Sequence, residues 1–170
     1  MDFCQGAFPG IPSGKNDGQE SDSALLRTAI CYLLSGEAGY AYTCLDRIVK
    51  GSYAALYNKA LCLYLATAYE ECFHLLCEAE HLLPHNIVPS SKSLPEKLTR
   101  WNLDKSTPFC PMPDNAPPDI ARIQVLRLKA ETAGKLQLTE EIKRIASGPL
   151  GKYVHIKNLM NTTQTSHDNI

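Results

Sequence analysis

His74, Cys77 and His81 follow one another at intervals of three and four residues, with His85 four further on. On a helix the first three share one face. Imidazole and thiolate are ligands that zinc favours, so the stripe is a candidate metal or redox site, though it needs a fourth ligand to close. No second CxxC or HxxxH pattern supplies one, and the plainer account is a solvated helix face. The acid pairs Glu70-Glu71 and Glu140-Glu141 are adjacent in sequence, and adjacent residues on a helix do not face each other. No nucleophile motif, phosphate-binding loop or metalloprotease helix is present. The expectation is a protein that is not an enzyme and uses no cofactor.

Composition bounds the elements that carry these side chains. A chain of 170 residues suits one domain, and 44% apolar residues can fill its core. Lys and Arg number 17 against 18 Asp and Glu, so nothing overall attracts nucleic-acid phosphates or anionic lipid. No nucleic acid and no membrane is expected as a partner. Residues 1–6 have neither a basic start nor the apolar run of a secretion signal, and no apolar stretch approaches the roughly 20 residues that span a bilayer. The cysteines are odd in number at 7. Cys31, Cys44, Cys62, Cys72 and Cys77 sit among apolar residues, as reduced thiols acting as small hydrophobes do. A cytoplasmic location follows as the expectation.

Apolar spacing then marks the helices. Residues 1–20 carry Gly6, Pro9, Gly10, Pro12, Gly14 and Gly18, a composition expected to form a flexible N-terminal arm. Ser21-Asp22-Ser23 can cap a first helix, along which Leu25, Leu26, Ala29, Ile30, Leu33 and Leu34 recur. Gly36 ends it, and Tyr40, Ala41, Cys44, Leu45 and Ile48 mark a second. After Gly51 a third helix from Ala54 to about Ala66 leads into a fourth from about Tyr69 to Leu83, closed by Pro84. Residues 85–118 form a proline-rich insertion, because proline lacks the N–H and clashes with the preceding turn. A short helix is predicted at 94–101 inside it, and Trp101 and Phe109 argue that the insertion docks rather than hangs free. Asp119 caps the next helix, bearing Ile120, Ile123, Leu126, Ala130 and Ala133 up to Gly134; Thr139 caps another with Ile142 and Ile145; a last one covers 153–160. The helical domain is thus 21–160, and 161–170 is a flexible tail.

Tyr69, Glu70, Glu71, Cys72, Leu76, Ala79 and Pro84 resemble the second half of a tetratricopeptide repeat, which has an aromatic, two acids, a small residue, a large residue, an alanine and a proline in those places. Leu56, Tyr57, Asn58, Ala60 and Leu63 resemble its first helix. An earlier unit matches through Leu25, Ala29, Tyr32, Ala41, Leu45 and Ile48, and Ala41 precedes its counterpart Cys72 by 31 residues, against a family period of ~34. A third unit matches at Leu126 and Ala130, but its second helix lacks the small residue. The resemblance implies an all-α fold of antiparallel helix pairs stacked as a short right-handed superhelix, with two clear repeats, a degenerate third and a C-terminal capping helix.

It also implies that the first helices line a concave groove, here Leu26, Ile30, Leu33, Leu34, Tyr57, Asn58, Leu61, Tyr64 and Leu65. Some members of the family clamp a partner's terminal carboxylate with Lys, Asn and Arg. Asn58 stands at one such asparagine, but Leu26 and Ile30 stand where the Lys and the other Asn belong, so apolar recognition is implied instead. The expected function is that of an adaptor, scaffold or chaperone-like module that binds a peptide or helix by apolar burial. A monomer seldom leaves so large an apolar patch bare. Three occupants are open: a partner's segment, the chain's own insertion, or a second copy in a homo-oligomer. The metal or redox reading of His74, Cys77, His81 and His85 stands beside them.

Overall fold

Three short turns with one geometry organise this chain. The structure, a computed structural model, describes residues 17–84 and 109–165. Among the described residues it contains helices and no strand: α1 (Asp17–Leu34), α2 (Ala38–Asp46), α3 (Tyr53–Leu65), α4 (Tyr69–Leu82), α5 (Pro118–Lys135), α6 (Thr139–Ser147), a 3-10 turn (Pro149–Lys152) and α7 (Val154–Thr165). Gly36, Thr67 and Gln137 hold φ of 80°, 61° and 59°, and each closes the first helix of a pair. In each turn the next residue's N–H reaches back five residues, from Glu37 to Tyr32 O (2.8 Å), Ala68 to Leu63 O (2.9 Å) and Leu138 to Ala133 O (2.8 Å). This left-handed closure satisfies carbonyls that a helix end leaves orphaned.

The same register extends into the helices. Ala29, Ala60 and Ala130, each seven residues before its left-handed turn residue, are fully buried. Ala41, Cys72 and Ile142, each five residues after it, are fully buried too. The pairs α1/α2, α3/α4 and α5/α6 thus share one register of turn residue and buried positions. Each pair packs on the next, α2 on α3 and α4 on α5, and the first helices also touch, α1 with α3 and α3 with α5.

Several helix ends differ from their sequence expectations. α1 begins at Asp17, so Ser21-Asp22-Ser23 does not cap it. The Asp22 carboxylate instead accepts from the N–H groups of Val49 and Lys50 (3.2 and 3.0 Å) and holds the α2–α3 link against α1. The N-cap of α5 is Pro117, with Pro118 as first helical residue and Asp119 inside the first turn. Thr139 is the first residue of α6, not its cap. Leu138, whose N–H closes the turn onto the Ala133 carbonyl, is also the N-cap of α6, and Glu37 and Ala68 stand likewise before α2 and α4; none of the three makes a side-chain capping hydrogen bond. α7 runs to Thr165, past the point where a tail was expected. The helix predicted at 94–101, Trp101, most of the N-terminal arm and residues 166–170 lie outside the described residues.

Two apolar clusters share α5. Ala121, Val125 and Leu128 join the cluster built by α1 to α4, while Ile123, Leu126 and Ala130 face Ile145, Leu150, Tyr153 and Ile156. Spacings of three and four on two faces explain why this helix buries most of its circumference. An ionic knot ties α4, α5 and α6 together: Lys129 Nζ lies 2.7 Å from Glu80 and 2.9 Å from Glu141, and Arg144 contacts both acids at 3.1 and 2.7 Å. Burial alone would raise the Glu80 carboxyl and lower the Lys129 ammonium, but their hydrogen bond and opposite charges win, so Glu80 sits low and Lys129 high.

Candidate functional site

The first helices offer one face to residues 109–116, the described end of the insertion, and α3 holds this strap through three side chains. Ser52 caps α3, its Oγ accepting from the N–H of Ala55 (3.1 Å), which satisfies one of the unpaired N–H groups of the first turn. Tyr53 and Tyr57 then project from one side, four residues apart, with Asn58 next to them. The Tyr57 hydroxyl donates to the carbonyl of Cys110 (3.2 Å) and the Tyr53 hydroxyl to that of Ala116 (3.0 Å). Burial, with Cys110 nearby, pushes the Tyr57 phenol far above its ordinary range and keeps it a neutral donor.

Asn58 is the centre of the site. Its Nδ2 donates to the carbonyl of Met112 (2.7 Å), and its Oδ1 accepts from the N–H of the same residue (2.8 Å). One carboxamide thus satisfies both main-chain groups of Met112, as a neighbouring strand would. Asn58 is 0% exposed and Met112 1%. A buried amide costs free energy unless paired, and here each group is the other's partner. Pro111 and Pro113 flank Met112 and bring no N–H of their own, so no further donor in that run needs a partner.

Phe109 packs on a second set of side chains. Its ring meets Tyr64 edge-on at 5.9 Å and His155 at 6.0 Å, and the Arg127 guanidinium lies 5.6 Å from its centroid. His155 Nε2 is 2.7 Å from Glu131, which also accepts from the Tyr64 hydroxyl (3.3 Å). The hydrogen bond to His155 holds the Glu131 carboxyl below the ordinary carboxylate range against the opposing effect of burial. At the other end, Asp114 helps line a cleft of about 360 Å³ with Asp22, Ser23, Leu26 and Lys50.

The expected groove residues separate into two sets. Leu26, Leu33, Tyr57, Asn58 and Leu61 are buried, with Ile30 and Tyr64 half-buried. The buried apolar members share one cluster with Met112 and Ala116 of the strap. Leu34 and Leu65 instead stand at the turns, 73% and 54% exposed, because they are the last residues of α1 and α3 and point away from the pair. Tyr53, Met112 and His155 were missed by sequence reasoning. The available signal was Phe109 and Met112 set among prolines, two large apolar side chains in a segment that forms no helix.

The histidine stripe stays open. His74 and His81 are exposed, Cys77 is half-buried, and His85 lies outside the described residues. Among the described residues no group of three or more His, Cys, Asp or Glu side chains is placed to hold a metal ion. Cys31, Cys44, Cys62, Cys72, Cys77 and Cys110 are free thiols, and burial pushes Cys72 up to about 11. Among the described residues no helix is long and apolar enough to cross a membrane. No family model, no curated protein and no solved structure matches the chain. The class defined by fold and site is that of an all-α protein of paired helices.

Proposed function

We propose that the chain is a non-catalytic interaction module of the tetratricopeptide-repeat type, which holds an extended polypeptide segment across the first helices of its three pairs. The observation that carries this reading is the Asn58 carboxamide closed on both main-chain groups of Met112. A side chain that pairs with a backbone recognises an extended segment whatever its sequence, and apolar neighbours then supply affinity. The recurring turn at Gly36, Thr67 and Gln137 and the alanines seven residues before it support the repeat character. The free thiols favour the cytoplasm as the place where it acts.

In the structure the held segment is the chain's own, so a partner must find that anchor released. A peptide display library panned on the full chain carrying Met112→Asp, verified as helical and cooperatively melting, tests the reading. Peptides should enrich, and adding Asn58→Ala should weaken them by about tenfold, the loss expected for a charge-free hydrogen-bonding pair. Enrichment no better than the unselected library would sink it.

A further inference from the structure

We infer that the partner segment has the form aromatic-x-x-methionine-x-x-x-small, the pattern of Phe109, Met112 and Ala116, and that the chain's own copy acts as a built-in competitor for it. This rests on the reading of the groove as a peptide holder and adds the class of ligand and its regulation.

The strap itself displays what the groove selects. Its carbonyls at 110, 112 and 116 and its N–H at 112 meet α3, and between 113 and 116 the strap turns, the Ala116 N–H donating to the Pro113 carbonyl (3.1 Å), so the last of these contacts depends on that turn. Side-chain selection falls elsewhere. Met112 and Ala116 are buried and Phe109 is half-buried between Tyr64 and His155, whereas Cys110, Pro113, Asp114 and Asn115 are exposed. A ligand is therefore constrained at those three side chains and must also be able to turn across 113–116, while the place of Cys110 is free. The Met112 site is closed to charge, since an ion with no partner there would lose its hydration without compensation. It suits an unbranched apolar side chain able to fill an irregular gap. The Phe109 site suits an aromatic ring, because edge-to-face partners and a guanidinium on the ring reward a π-system beyond its area.

Tethering sets the regulation. A ligand carried on the same chain competes at an effective concentration on the order of millimolar, so the intact protein is closed by default. A free segment enters well only where the strap is weakened.

The test uses the full chain carrying Phe109→Ala and Met112→Asp and a fluorescent peptide copying residues 109–117 with Cys110→Ser. Anisotropy should show saturable binding to this variant and at least about tenfold weaker binding to the unaltered chain. A peptide carrying Met112→Asp should not bind the variant. A folded variant that fails to bind the copied peptide overturns the inference. If the variant does not fold, amide exchange in the unaltered chain decides. Exchange of the Met112 amide well ahead of the core amides of α3 supports a releasable strap, and exchange only with global unfolding rejects it. The two failures are separable: library peptides of another pattern that depend on Asn58 leave the peptide-holding reading standing, while no peptides at all remove both.

Discussion

α3 and α4 form one antiparallel pair, yet they differ in how loudly their side chains speak. α4 carries His74, Cys77 and His81 on one stripe, residue types with a large chemical repertoire. α3 carries tyrosines, leucines and one asparagine. The eloquent stripe lies open to solvent and converges on nothing among the described residues, while the plain face of α3 binds a length of backbone at four main-chain atoms. Function in this fold depends on where side chains converge, and convergence is a property of the pairing of helices rather than of residue type.

The comparison breaks first at Asn58. Asn58→Leu keeps the branching of the side chain, with bulkier methyls in place of the amide, but leaves the N–H and carbonyl of Met112 buried without partners, at about 1–3 kcal/mol for each group. Relief from burying the asparagine amide offsets a part, so a net loss of about 2–4 kcal/mol is expected. The urea midpoint should fall with an unchanged slope. A loss under about 1 kcal/mol would mean that the strap simply lifts into water and that the α3 face is no stricter than the α4 stripe.

The sequence shows some of this and hides the rest for identifiable reasons. Gly36 announces its turn, because glycine reaches positive φ without strain; Thr67 and Gln137 adopt nearly the same φ and announce nothing. The third pair looks degenerate because Ile142 stands where Ala41 and Cys72 stand in the others. The structure gives the reason. Gly134 occupies the place of Leu33 and Tyr64, and a Cβ built on it would lie 4.0 Å from Ile142 and 3.5 Å from Leu159. Large and small have exchanged sides, so the pair keeps its packing and loses its signature. The strap is illegible for another reason: most of its polar contacts go through backbone atoms, which every sequence has.

Thr67 offers a smaller test of the shared unit. A β-branched residue in the left-handed region carries a cost of about 1–2 kcal/mol, part of which glycine's extra unfolded-state entropy would offset. Thr67→Gly should therefore stabilise the chain by about 0.5–1 kcal/mol, a rise in Tm of a few degrees for a domain of this size. Gly36→Thr should lose a similar amount. If both changes destabilise, the turns are alike in geometry but not in energetics, and the three pairs are less equivalent than their registers suggest.

The smallest effect belongs to the α4 stripe and is the sharpest contrast to Asn58. His74 and His81 are exposed and make no hydrogen bond or ion pair among the described contacts, so replacing both by alanine should change stability by no more than about 0.5 kcal/mol. Alanine's higher helix propensity pushes toward a slight gain. The same pair of variants carries the decisive comparison with zinc. A metal bound by the folded chain alone would raise Tm by an amount that grows with the logarithm of its concentration over Kd, and two exposed imidazoles with one half-buried thiol do not make a closed four-ligand shell. Melting curves with and without added zinc should thus coincide for the unaltered chain. A zinc-dependent rise that His74→Ala and His81→Ala abolish would reverse the ranking of the two helices and make the outer stripe, not the α3 face, the site from which function should be argued.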